Sequence, residues 1–103
     1  MRVRGRGRVE VAGYGVADAE HLVEKELGTL WPEARIAVLD VARTDPESRI
    51  VEEFAVSFTV EGVLRVEGET EEDAARAAFR QARQKLAGSR YERVEWGRVA
   101  SSN

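Results

Sequence analysis

The chain has no cysteine and a single histidine, His21, in 103 residues. The missing thiols exclude disulfides, thiolate chemistry and cysteine-ligated zinc. One imidazole on a charged helix face gives no basis for a metal site or a Ser-His-Asp triad. Lysine is scarce as well: Lys25 and Lys85 stand against 14 arginines, and the amides are limited to Gln81, Gln84 and Asn103. Few amides and many ion-pairing residues fit a thermophile, although a GC-rich genome would also favour arginine. No apolar run approaches the ~18–20 residues that a spanning helix needs. The basic start is not followed by the apolar segment of a secretory signal. These absences predict a soluble, cytoplasmic protein with no membrane, metal or cofactor partner.

What is present reads as one globular domain over residues 1–103, with 43% apolar and 34% charged residues. The net charge of −3 is unevenly spread. Residues 1–8 hold four arginines and no acid, which leaves −7 on the rest of the chain. An acidic body argues against a general nucleic-acid binder, because phosphate binding needs a positive field. A local basic strip can still hold anions where its neighbours do not neutralise it.

That strip is the opening stretch "MRVRGRGRVEV". Its odd positions are Val3, Gly5, Gly7, Val9 and Val11, and its even ones Arg2, Arg4, Arg6, Arg8 and Glu10. Strict period-two alternation predicts a strand with one buried face. Gly13-Tyr14-Gly15 ends it, and Asp18 is a candidate N-cap for a helix carrying Ala19, Leu22, Val23, Leu27 and Leu30 on one face. Gly28 and Pro32 are read as closing that helix. Residues 34–43 form a second strand, apolar on both faces apart from Asp40, and 44–49 a polar turn with Pro46. Residues 50–60 form a third strand, with Glu61-Gly62 read as a turn into a short strand over 63–67 in preference to a bulge.

The second helix is the best-marked element. Thr70 caps it, Glu71, Glu72 and Asp73 place negative charge at its start, and Arg80, Arg83 and Lys85 place positive charge near its end. Ala75, Ala78, Phe79, Ala82 and Leu86 make its buried stripe, Gly88 stops it, and residues 90–99 form a last strand. The order predicts an α+β, ferredoxin-like β-α-β-β-α-β fold, with two helices on one face of an antiparallel sheet and the other face open.

Candidate sites are few. Glu71, Glu72 and Asp73 are explained by the helix dipole rather than by a metal. Gly13-Tyr14-Gly15 fails as a dinucleotide loop, because Asp18 falls where the third glycine belongs. Asp40 is the one carboxylate in mid-strand, a candidate acid or base and otherwise an ion-pairing or solvated group.

The segment "EFAVSFTVEGVLRVEGETEEDAARAAFRQARQKL" (53–86) resembles the C-terminal half of a double-stranded-RNA-binding domain. Phe54, Val56, Val60, Gly62, Gly68, Thr70, Ala74, Ala78 and Ala82 match its apolar and small positions. The resemblance implies a β-hairpin packed on a helix that grips phosphates from its start; here Glu71 and Glu72 replace the lysines that would do so.

For the arginine row, three readings stand. Arg2, Arg4, Arg6 and Arg8 pair with Glu53 and Glu61 across the sheet, or form a strip for an anion or nucleic acid, or belong to a flexible arm. Alternation and the acidic body favour the first. The functional expectation is a non-catalytic interaction module that self-associates through its open face or edge, with RNA or DNA binding through the arginine row as the alternative and an enzyme using Asp40 as a third reading. Trp31 and Tyr91 are expected near the margins of the open face.

Overall fold

The computed structural model describes residues 1–44 and 51–99. Its elements are β1 (Arg2–Gly13), α1 (Val16–Leu30), β2 (Arg35–Arg43), β3 (Glu52–Val63), α2 (Glu71–Leu86) and β4 (Val94–Arg98). The four strands form one antiparallel sheet in the order β2-β3-β1-β4, which is the ferredoxin-like order. The expected turn at 44–49 lies, Thr44 apart, outside the described residues.

β1 is the strand on which the others are laid. It runs against β3 over its whole length, from Arg2↔Val63 to Gly13↔Glu52, without a register shift. On its other side it meets β4 only from Val3 to Gly7. The predicted alternation holds: Val3, Val9 and Val11 are buried toward the helices, and the four arginines are exposed.

The two glycines inside the strand are required by neighbours. A Cβ on Gly5 would stand 2.8 Å from the Trp96 ring, and one on Gly7 would stand 2.7 Å from Val94 Cγ1. Large side chains on β4 and β3 lean over these positions and fill the space.

α1 buries Ala19, Val23 and Leu27 at four-residue intervals against the sheet. It begins one turn earlier than expected. Gly15 is its N-cap, and Asp18 instead sits in the first turn and accepts the Tyr14 N–H at 2.9 Å. It also runs through Gly28 to Leu30, where the Trp31 N–H closes on the Leu27 carbonyl at 2.9 Å before Pro32. α2 follows its predicted design. Thr70 Oγ1 accepts the Asp73 N–H at 3.1 Å, and Ala78, Ala82 and Leu86 are buried. Small side chains on that stripe let the helix lie close to the sheet.

Three expectations need correction. β3 runs straight through Glu61-Gly62 to Val63, so there is neither a turn nor a fifth strand there. Gly62 is present because a side chain would collide with the Trp31 indole. Trp31 and Tyr91, 2% and 1% exposed, lie in the core between helices and sheet and not at the margin of the open face. The last strand begins only at Val94, because residues 87–93 are spent turning from α2 back to the sheet.

Close packing at Gly62 gives a first prediction. Gly62→Ala should lower the unfolding free energy in urea by about 1–3 kcal/mol, since the added methyl meets a buried ring that cannot move aside. Gly97→Ala, with nothing within 4 Å of the new carbon, should change it by less than about 0.5 kcal/mol. Equal effects would contradict this account of the strand glycines.

Candidate functional site

The register of the four strands determines what the bare face presents. The even residues of β1 lie opposite the odd residues of β3 on one flank and of β4 on the other, and β2 lies beyond β3. The bare face therefore carries Arg35, Ala37, Asp40 and Ala42 from β2, and Ala55, Ser57, Thr59 and Glu61 from β3. Arg2, Arg4, Arg6, Arg8 and Glu10 come from β1, and Glu95 and Gly97 from β4. Its centre is low and polar, because alanine, serine and threonine stand where the other face carries phenylalanine and valine.

The arginine row is ordered strand and not a flexible arm, but only one of its members is paired as expected. Arg4 meets Glu61 at 3.3 Å, with the guanidinium half exposed. Such a pair contributes only ~0–1 kcal/mol. Glu53 lies opposite Ala12, at the far end from the arginines, so it does not serve as their partner. Arg2 faces Val63, Arg6 faces Thr59 and Glu95, and Arg8 faces Ser57. Among the described residues none of these three has a carboxylate within 4.0 Å.

A shallow depression of about 770 Å³ crosses the middle of this face, lined by Arg6, Arg8, Arg93, Leu39, Asp40, Ser57 and Glu95 among others. A second, of about 450 Å³, lies between Arg4, Arg6, Arg35, Leu39, Thr59 and Glu61. Leu39, Arg35 and Arg93 were not candidates from sequence. Leu39 is half exposed because the β2–β3 register shifts between Val38 and Asp40. This bulge also explains Asp40, which lies across from Ser57 on the bare face and is exposed. Among the described residues Asp40 has no hydrogen-bond or ion-pair partner, so nothing orients it as a catalytic acid or base. The break in the alternation of "AVLDV" was the one sequence signal for the bulge.

The aromatic residues are elsewhere. Trp31 and Trp96 stack at a tilt, 6.4 Å between centroids, and Phe58 meets Tyr91 edge-on at 5.5 Å, both on the helix side. Among the described residues the bare face holds no aromatic ring, so it lacks the platform on which single-stranded bases stack. Among the same residues no three His, Asp or Glu side chains converge as metal ligands. No described helix is long and apolar enough to cross a membrane.

On the helix side Tyr91 O–H donates to Glu26 at 2.8 Å, and Arg90 reaches the same carboxylate at 3.2 Å. This ties the turn after α2 to α1 beside a cleft of about 450 Å³. Burial first, then the hydrogen bond to Glu26 and that carboxylate's charge, hold the phenol well above its ordinary value of 10.0; Arg90 acts in the opposite sense. With this geometry in view, no protein family, curated protein or solved structure matches the chain.

The raised phenol makes stability fall on the alkaline side. The unfolded chain releases the Tyr91 proton near pH ~10 and the folded chain only above that. The contribution of this group is therefore complete below about pH 10 and lost as pH rises beyond it. Tyr91→Phe should lose about 0.5–1.5 kcal/mol at pH 7, the usual net value of one hydrogen bond. Its urea midpoint should also fall less than the parent's between pH 9 and 11. Parallel falls would contradict the assignment.

Proposed function

We propose that this chain is a small non-catalytic interaction module that associates with a second copy of itself through the open face or an edge of its sheet. The observation that supports it most directly is the charge pattern of that face. Among the described residues Arg2, Arg6 and Arg8 have no carboxylate within 4.0 Å, while Glu10, Asp40 and Glu95 stand exposed on the same face without a basic group that close. A surface that carries both signs unspent is complementary to itself under a two-fold rotation. Leu39, 50% exposed, and Val63, 66% exposed, add apolar area to the same side. The low centre of alanine, serine and threonine lets another chain approach closely. The absence of cysteine agrees with a cytoplasmic location, which is proposed on composition alone.

One observation favours a second reading. Arg6, Arg8 and Arg93 line one depression, and among the described residues none has a carboxylate within 4.0 Å; three guanidinium groups there would suit the phosphates of RNA or DNA, with Asp40 and Glu95 on the same rim opposing them. The resemblance of residues 53–86 to a double-stranded-RNA-binding domain points the same way. Against it, Glu71 and Glu72 hold the helix start, and Glu71 is tied to Arg98 at 3.4 Å.

Light scattering coupled to size exclusion tests the first reading. A dimer or larger assembly at high micromolar concentration is expected, and a strict monomer would contradict it. For the second, removing residues 1–8 is uninformative because it deletes an inner strand. The Arg6→Gln/Arg8→Gln variant keeps the strand. RNA binding by the parent that weakens steeply with salt and is lost in this variant is the expected result of that reading; no binding at low salt rules it out.

A further inference from the structure

We infer that the contact between copies is made by β1 itself, edge to edge over Val9–Gly13, so that two four-stranded sheets join into one. The inference rests on the self-association proposed above and assigns it to a sheet edge.

The hydrogen-bond phase of β1 leads to this. Met1 exchanges both backbone bonds with Leu64, at 2.7 and 2.8 Å, so the odd residues of the strand bond to β3. The Arg2 carbonyl accepts the Val99 N–H at 3.1 Å, so the even residues point to the β4 side. But β4 covers β1 only as far as Gly7, where Val94 begins the strand. Beyond the Arg93 carbonyl beside Gly7, Glu10 and Ala12 therefore aim their N–H and C=O groups at a side where no described strand lies. Among the described residues no strand pairs with Glu10 or Ala12 on this flank, and both residues are exposed. Half of a strand that is interior at one end is an edge at the other.

The remaining edges are less suited to pairing. β2 is broken by its bulge at Leu39 and has arginines at both ends, Arg35 and Arg43; β4 is five residues long. Bulges, terminal charges and shortness are the usual protections of an edge. The free half of β1 has no proline and no bulge, and its Val9 and Val11 favour strand pairing.

Register favours the axis that pairs the whole of Val9–Gly13. A two-fold axis through Glu10 would set Glu10 against its own copy, which like charges oppose. An axis through Val9 would set Glu10 of the partner against Arg8, where the chain entering β4 at Arg93 already lies beside Gly7. An axis through Val11 avoids both. Val11 then faces its own copy, Val9 faces Gly13 of the partner, and Glu10 and Ala12 of opposite chains exchange both backbone bonds. Because such an axis is perpendicular to the sheet, the helices of both copies stay on one side. The two rows of arginines stay on the other, as one bare face of eight strands.

Two variants test it in the full chain. Glu10→Pro removes one outward N–H per copy and leaves the β1–β3 bonds, which use the odd residues. It should keep its circular dichroism and weaken association about tenfold or more, the effect of losing two hydrogen bonds of about 0.5–1.5 kcal/mol each. Glu10→Cys/Ala12→Cys, in a chain with no other cysteine, should give a disulfide-linked dimer on oxidation. Hydrogen-bonded antiparallel partners lie about 5.5 Å apart between Cα atoms, within disulfide reach. A folded Glu10→Pro variant that stays dimeric, with no cross-linked dimer from the cysteine pair, overturns the β1 contact and leaves self-association by another surface. Should Glu10→Pro unfold, the cross-link alone decides. A parent chain that is monomeric throughout overturns the reading on which the inference rests.

Discussion

The continuous antiparallel pairing of β1 with β3, from Arg2↔Val63 to Gly13↔Glu52, is the constraint from which the rest of the structure follows. It places the amino-terminal strand inside the sheet, so each residue there must suit two faces and two flanks. Valine meets the helices and arginine meets water. Glycine occurs where Trp96 and Val94 need room. Tertiary contacts satisfy the apolar side completely. They satisfy the arginine side hardly at all, since Arg4–Glu61 is the one pair that the row makes among the described residues.

The two sides of the sheet are built on different physics. On the helix side, buried aromatic rings, the alanine stripe of α2 and the Tyr91–Glu26–Arg90 tie exclude water and fix the turn after α2. On the bare side the charges are exposed, and isolated pairs there add little to stability. Arginines that contribute little to folding are available for association. In the proposed self-association the exposed acids on the same face would supply complementary charge to the arginines of a second copy.

Much of this was legible in the residues. Strict alternation over 2–11 revealed β1 and its two faces, and the Thr70 cap with Ala78, Ala82 and Leu86 revealed α2 and its buried stripe. What could not be read depends on contacts distant in the chain. Gly62 looked like a turn because glycine weakens a strand; its actual cause is an indole thirty-one residues earlier. Glu53 was the wrong partner because it lies at the Ala12 end of the ladder, and register along a ladder is not a local property. Nothing in the sequence places Trp31 and Tyr91, because an aromatic beside a proline or a turn carries no sign of what it packs against. Asp40 looked singular in mid-strand until the bulge at Leu39 moved it to the water side.

The central claim is that β1 is covered along half of one flank and that a second copy covers the other half. Amide hydrogen exchange, resolved by residue along β1 in dilute and in concentrated solution, tests it most directly. The β3-bonded amides of Val9 and Val11 should be protected at both concentrations. The amides of Glu10 and Ala12 should exchange freely when dilute and become protected when concentrated. Free exchange of Glu10 and Ala12 at both concentrations would contradict the account.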